Sequence, residues 1–300
     1  MHSWEKYLEF YYKESNIYMP NEIFSDLAAL KNRSSGHLAF TYAYYYLTSW
    51  LYRYAKYGTV PIDQKKMKEI LGYNSGYQGV DYLIKKDGLL DSMNYTETVK
   101  DLPLVWDLNN KELTFTMLSE FGETEQKAIK QRYSRKYAIK KPIKAFHRSN
   151  ESQQDNYEDG TFFEIDNTHL VPFEVFLFCM KHSHIGCTGF YIWSYLQMKT
   201  QIFSCGYDVS LVKLADELNL PRSTTINYLN ELRLHNMIEC KYNQEYFCLA
   251  MNDEDRKANT YRPTRHTSFT EDKVSFKKME IVKVKEYIAE REGEMYELFS

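Results

Sequence analysis

The chain has 300 residues, 43% of them hydrophobic, and its 38 lysines and arginines fall just short of its 41 acidic residues, for a net charge of −3. That length suits two domains, and the near-neutral balance excludes a nucleic-acid-binding protein that is basic throughout. Neither a secretory leader nor an uninterrupted apolar span of membrane length stands out, and the five cysteines, an odd number all beyond residue 178, read as reduced thiols; a cytoplasmic protein is predicted.

Residues 38–57 are dense in tyrosine and leucine and predict a buried first helix of an N-terminal domain. A helix-turn-helix pattern follows at 62–91. Ile62, Met67, Ile70 and Leu71 fall at helical spacing, residues 72–76 supply a turn, and Val80, Leu83 and Ile84 line a second helix. Gly88 suits a left-handed end to that helix. Asn74, Ser75, Tyr77, Gln78 and Lys85 would form its polar surface, although Gly76 and Gly79 each weaken it by up to about 1 kcal/mol. Residues 91–111 then carry several acids and Pro103 before a strand-like run, LTFTML.

Charge is concentrated beyond this unit. Residues 1–125 sum to −4, residues 126–150 to +9 and residues 151–208 to −6. The basic stretch interleaves Lys127, Lys130, Arg132, Arg135, Lys136, Lys140, Lys141, Lys144 and Arg148 with Tyr133, Tyr137 and Phe146. Cations in such a run release counterions when they meet phosphates, whatever the base sequence. The adjoining ESQQDNYEDG is polar and acidic, so residues 126–160 read as a basic, then acidic linker that could fold back on itself.

Residues 175–203 are apolar and aromatic and predict the first helix of a second domain. Cys179, His182, His184 and Cys187 offer four possible zinc ligands in nine residues, but 173–180 reads as helix, and that geometry does not gather all four around a tetrahedral ion. His182-Ser183-His184 has serine where the paired-histidine motif of rolling-circle nickases needs a hydrophobic residue. With no phosphate-cradling glycine loop, nucleophile elbow or paired acidic motif, the sequence predicts no enzyme, no metal and no cofactor.

The strongest signal is SLVKLADELNLPRSTTINYLNELRLHNMIE at 210–239. Ser210 suits a helix cap before an apolar face of Leu211, Leu214, Ala215 and Leu218. Asn219-Leu220-Pro221 breaks that helix, with the proline suited to the first turn of the next. There Thr225, Tyr228, Leu229 and Leu232 share one face. Arg222, Ser223, Thr224, Ile226, Asn227 and Asn230 occupy the other, whose guanidinium, hydroxyl and amide groups are the chemistry that reads base edges and phosphates. Two short runs at 239–242 and 245–250, separated by Asn243-Gln244, predict a β-hairpin that carries Lys241. Arg256, Lys257, Arg262 and Arg265 then read as a basic arm, and residues 271–299 as a charged helix with Met279, Val282, Tyr287 and Ile288 as its apolar positions.

Helix, turn, helix and hairpin in this order resemble the winged-helix DNA-binding domain, and two such units in one chain resemble the replication initiators of bacterial plasmids and related phages. The resemblance implies an α+β protein, mainly α with small β-hairpins. Its winged helix-turn-helix domains would span 1–125 and 161–266, joined by the linker at 126–160 and followed by a C-terminal helix within 267–300. It further implies sequence-specific binding of double-stranded DNA at repeated origin sites, with a homodimer or a replication protein such as a helicase as further partners. Two other readings stay open: a transcriptional regulator that uses only the second winged helix for DNA, and a winged-helix interaction module of a replication complex.

Overall fold

A computed structural model describes residues 4–30, 34–58, 60–109, 112–154, 158, 160 and 167–289. The fold mixes helices with small, mostly antiparallel sheets and divides into two compact units, Met1–Met198 and Lys199–Ser300. No described helix is long and apolar enough to cross a membrane.

The first unit begins with β1 (Asn16–Pro20), α1 (Glu22–Ala28), α2 (Ser35–Arg53), α3 (Gln64–Ile70), α4 (Asp81–Ile84) and α5 (Leu89–Ser92). It continues through β2 (Thr96–Val99), β3 (Pro103–Asn109), β4 (Glu112–Met117), α6 (Glu123–Lys130) and β5 (Ile139–Pro142). After α7 (Asn150–Gln154) come β6 (Thr168–Pro172), α8 (Phe173–Lys181) and α9 (Gly186–Ile202), within which the division falls.

Helix α2 organises the first unit because it is buried all round, from Leu38 to Arg53. Its tyrosines satisfy their hydroxyls internally: Tyr46 donates to the Val171 carbonyl at 3.0 Å, and Tyr45 accepts from the Ala145 amide at 2.8 Å. Trp50 lies parallel to Phe173 at 3.8 Å, Tyr46 stacks on Phe176, and Tyr42 meets Phe190 and Tyr191. β1 pairs antiparallel with β6 from Asn16↔Pro172 to Pro20↔Thr168. Residues 167–198, read from the sequence as the start of the second domain, are therefore part of the core around α2. The same holds for much of the expected linker, since β5 pairs with β2 and Phe146 is fully buried.

The helix expected after the glycine-rich turn is reduced to the single turn of α4. Residues 75–80 are turns and loop, in keeping with the low helical propensity of Gly76 and Gly79. Gly88 is not the left-handed residue, since its φ is −78°; Asp87 takes that conformation at φ 58°. Glycine serves there for a different reason, because a Cβ at Gly88 would stand 2.8 Å from the carbonyl oxygens of Lys85 and Tyr82. Backbone atoms cannot rotate away as a side chain can. Gly88→Ala is expected to destabilise the chain by about 1–3 kcal/mol in denaturant unfolding, and an unchanged midpoint would show that the α4–α5 corner yields.

The second unit contains β7 (Tyr207–Val209), α10 (Leu211–Leu218), α11 (Arg222–Leu234), β8 (Ile238–Lys241), β9 (Tyr246–Phe247), β10 (Asn259–Pro263) and β11 (Glu280–Ile281). The Ser210 side chain accepts from the Lys213 amide, as a cap should. Leu214, Ala215 and Leu218 bury one face of α10 against α11, and Asn219 ends the helix in the left-handed conformation at φ 52°. Pro221 sits at the cap position just before α11.

A three-stranded antiparallel sheet, in the order β7-β10-β8, completes this unit. The partner of β8 is thus Asn259–Pro263 and not 245–250. Asn243 and Gln244 lie at a bend that does not join two paired strands, and their side chains clamp the returning chain. Asn243 Nδ2 donates to the Ala258 carbonyl at 2.8 Å, and Gln244 Oε1 accepts from the Lys257 amide at 2.8 Å. β9 pairs in parallel with β11. The C-terminal helix is shorter than expected: residues 271–279 are not helical, helix occupies 284–289, and 290–299 lie outside the described residues.

Candidate nucleic-acid interface

Helix α11 presents two chemically distinct faces. Thr225, Leu229 and Leu232 are buried, with Tyr228 half-buried beside them, while Arg222, Ser223, Ile226 and Asn227 are exposed and Thr224 and Asn230 are half-buried. The division follows from the 3.6-residue period, which brings positions 225, 229 and 232 to the core and turns 222, 223, 226 and 227 outward. The face keeps one cation, hydroxyls and amides within two turns of the helix start. Arg233, further along, is spent internally: it donates to the Tyr242 hydroxyl at 2.7 Å and the Lys277 carbonyl at 2.9 Å, with Phe276 stacked 3.7 Å from its guanidinium.

The sheet adds a second exposed surface to this unit. In the ladder, Ile238 opposes Pro263 and Cys240 opposes Tyr261 towards the core, which leaves the pairs Glu239↔Arg262 and Lys241↔Thr260 on the other side. Lys241 and Arg262 are exposed there, and Asp208 joins them through its carboxylate, which accepts from Thr260 at 2.5 Å. Burial pushes the pKa of the Tyr261 hydroxyl up to about 12 and raises that of the Cys240 thiol. Arg262, read from the sequence as part of an irregular arm, is fixed on β10. Lys213 is an exposed cation on α10 that the helical pattern alone had not marked, because only its apolar neighbours define that helix.

The residues expected to read DNA from the first unit do not share a helical face. Asn74, Ser75, Tyr77 and Gln78 lie in the turn before α4, and Lys85 caps the end of that single turn. Asn74 Oδ1 accepts from the Gly76 amide at 2.8 Å, and the buried Lys68 ammonium holds the Tyr77 carbonyl at 2.7 Å and pairs with Asp81. The turn is therefore fixed, but it offers loop atoms where a helix had been expected.

The basic stretch separates into two halves. Lys140 is 5% exposed and pairs with Asp91, Lys141 pairs with Glu158 at 3.3 Å, Lys144 with Asp26 at 3.0 Å, and Arg148 grips Glu22 through two bonds of 2.9 and 3.0 Å. These four cations neutralise acids of their own unit, which is where much of the local charge excess goes. Lys127, Lys130, Arg132, Arg135 and Lys136 stay exposed. They do not sit on a loose tether: Tyr133 donates to the Tyr57 carbonyl and Tyr137 to the Ile62 carbonyl, and their rings lie 4.5 Å apart.

Both cysteines and His182 of the 179–187 stretch have surroundings within their own unit. The Cys187 thiol donates to the Leu71 carbonyl at 3.4 Å, and Cys179 is fully buried, with burial raising both thiols, Cys187 to about 12. His182 Nδ1 stands 2.8 Å from the Phe178 carbonyl. The chain matches no protein-family model, and none of the curated proteins or solved structures compared with it is similar.

Proposed function

We propose that the chain is a sequence-specific double-stranded DNA-binding protein that reads the major groove with α11 of its second unit. What carries the reading is the combination of the outward Arg222, Ser223 and Asn227 face with the order β7, α10, α11, β8, β10 and the sheet order β7-β10-β8. That order matches a winged helix: a strand, two helices joined by a turn with the second as the reading helix, then two strands whose connecting loop would form the wing. In this reading the Arg222 guanidinium would take both acceptors of a guanine, and Asn227 would pair with an adenine. Lys241 and Arg262 on the sheet would meet phosphates, which position the protein without reading sequence. The first unit resembles this arrangement only in outline, so the second unit supplies the specificity.

Within this reading we place the chain with plasmid or phage replication initiators, with transcriptional regulation as the competing role. Selection of bound fragments from the native replicon separates the two, since an initiator recovers repeated sites at an origin and a regulator recovers single operators. The same selection tests the reading helix. Arg222→Ala is expected to cost about 1–3 kcal/mol in affinity and to relax preference at one base pair, as Asn227→Ala should at another. Identical preferences in wild type and both variants would remove α11 from direct readout. Absence of any salt-dependent DNA binding would favour an interaction module in its place.

A further inference from the structure

We propose that the first unit carries a sequence-independent track for the phosphate backbone of duplex DNA, in which Lys130, Arg135 and Lys136 are joined by Lys65, Lys86 and Lys100 from elsewhere in the chain. The proposal rests on the DNA-binding reading but places contacts in the unit that lacks a well-formed reading helix. Residues 130–137 form a ridge between two open cavities. One, of about 370 Å³, is lined by Lys65 at the start of α3, Lys86 after α4 and Lys136. The other, of about 530 Å³, is lined by Lys100, Lys130 and Arg135. Ser134 and Tyr137 line both, so the six cations fall on the two sides of one continuous strip.

Three observations favour a polyanion as the occupant. The six side chains are exposed, and among the described residues Lys65, Lys86, Lys100, Lys130, Arg135 and Lys136 form no ion pair, in contrast to Lys140, Lys141, Lys144 and Arg148 of the same run. The acids that share the cavities are turned to backbone donors. Asp63 accepts from the Lys66 amide at 2.9 Å, and Asp101 accepts from the amides of Leu102 and Ser119 and from the Ser119 hydroxyl. The strip is also rigid, because Tyr133, Tyr137 and Arg132 bond it to the carbonyls of Tyr57, Ile62 and Gly58. Fixed cations spread along both sides of a ridge suit successive phosphates of a backbone better than one small anion, which needs its donors converging on a point.

The test uses the full-length chain and two probes, a duplex carrying the selected site and a duplex of scrambled sequence, titrated across a range of salt. Lys65→Ala, Lys86→Ala and Lys100→Ala are combined in one variant, since none of these side chains takes part in a hydrogen bond or ion pair among the described residues. Thermal unfolding confirms that the variant folds. The slope of log affinity against log salt is expected to fall by about 2–3, at 0.9 per lost phosphate contact, on both duplexes alike and with the selected sequence unchanged. A triple Lys130→Ala, Arg135→Ala, Lys136→Ala variant should reproduce that change. An unaltered slope in both variants on both duplexes overturns the track while leaving DNA binding by the second unit intact. A wild-type chain that binds neither duplex removes the DNA-binding reading itself.

Discussion

Replacing Lys140 with alanine is expected to destabilise the chain by about 3–5 kcal/mol, because the substitution leaves the Asp91 carboxylate, only 12% exposed, without its counter-ion. The ammonium donates to both oxygens of Asp91, at 2.7 and 2.6 Å, and reaches the Thr98 hydroxyl at 2.8 Å and the Lys85 carbonyl at 3.1 Å. Burial lowers its pKa while the hydrogen bond and the charge of Asp91 raise it, and burial dominates. The pair is thus held by geometry against its own desolvation, which is the situation in which deleting one partner costs far more than the pair contributes. A loss of that size is a large fraction of the 5–15 kcal/mol that holds a typical domain together. Urea unfolding of the full chain measures it. Lys140→Met combined with Asp91→Asn should recover part of the loss, since no charge is then stranded and the amide oxygen, in the place of Oδ2, still accepts from the Asp87 amide and the Thr98 hydroxyl. Arg135→Ala, at an exposed position, should change stability by no more than about 0.5 kcal/mol. A Lys140→Ala chain within 1 kcal/mol of wild type would mean that water replaces the ammonium.

The second large effect is acid sensitivity through His169. Its ring is fully buried, with the Tyr42 hydroxyl 2.8 Å from Nε2 and Asn21 Oδ1 2.9 Å from Nδ1. Asn21 Oδ1 can only accept, so Nδ1 carries the proton and in the neutral ring Nε2 accepts from Tyr42. Burial, helped by the charge of Arg148, holds the histidine down to about 3 from its ordinary 6.5. The folded state therefore binds fewer protons than the unfolded one between those values. Its contribution is complete above pH 6.5 and is lost progressively as the pH falls towards 3, at up to about 1.4 kcal/mol per pH unit. His169→Gln keeps a donor and an acceptor but cannot titrate. The stability difference between wild type and this variant should shrink from pH 7 to pH 4, and a difference that stays constant across that range would show that His169 is not the titrating group.

How far the sequence disclosed this architecture differs between the units for physical reasons. In the second unit, caps and apolar period are local signals, so Ser210, the Leu214–Leu218 stripe and the two faces of α11 were legible. The return strand was not. Arg262 and Pro263 gave β10 the look of an irregular basic arm, and the polar Asn243-Gln244 pair looked like a hairpin turn although it acts as a clamp. In the first unit the decisive partners are distant in sequence. Arg148 meets Glu22 across 126 positions and Lys144 meets Asp26 across 118, so a run with nine cations and no acids looked like a free tether when half of it is paired. The same distance hid the pairing of β1 with β6. The glycines at 76 and 79 did give warning that the first reading helix would be weak.

The parallel pairing of β9 with β11 bears on where a minimal fragment of the second unit can end. The segment between β8 and β10 spans residues 242–258, long enough to sample many conformations if held only at its neck by Asn243 and Gln244. Its middle is tied down by Glu280 and Ile281, with the Val282 amide donating to the Phe247 carbonyl at 2.9 Å and Tyr287 packed edge-on to Tyr246. Order in that loop is borrowed from residues some thirty positions downstream. A fragment trimmed at the end of β10 would keep every side chain of α11 and lose the anchor of the 242–258 loop, so a well-ordered fragment of the second unit ends well past its last sheet-forming arginine.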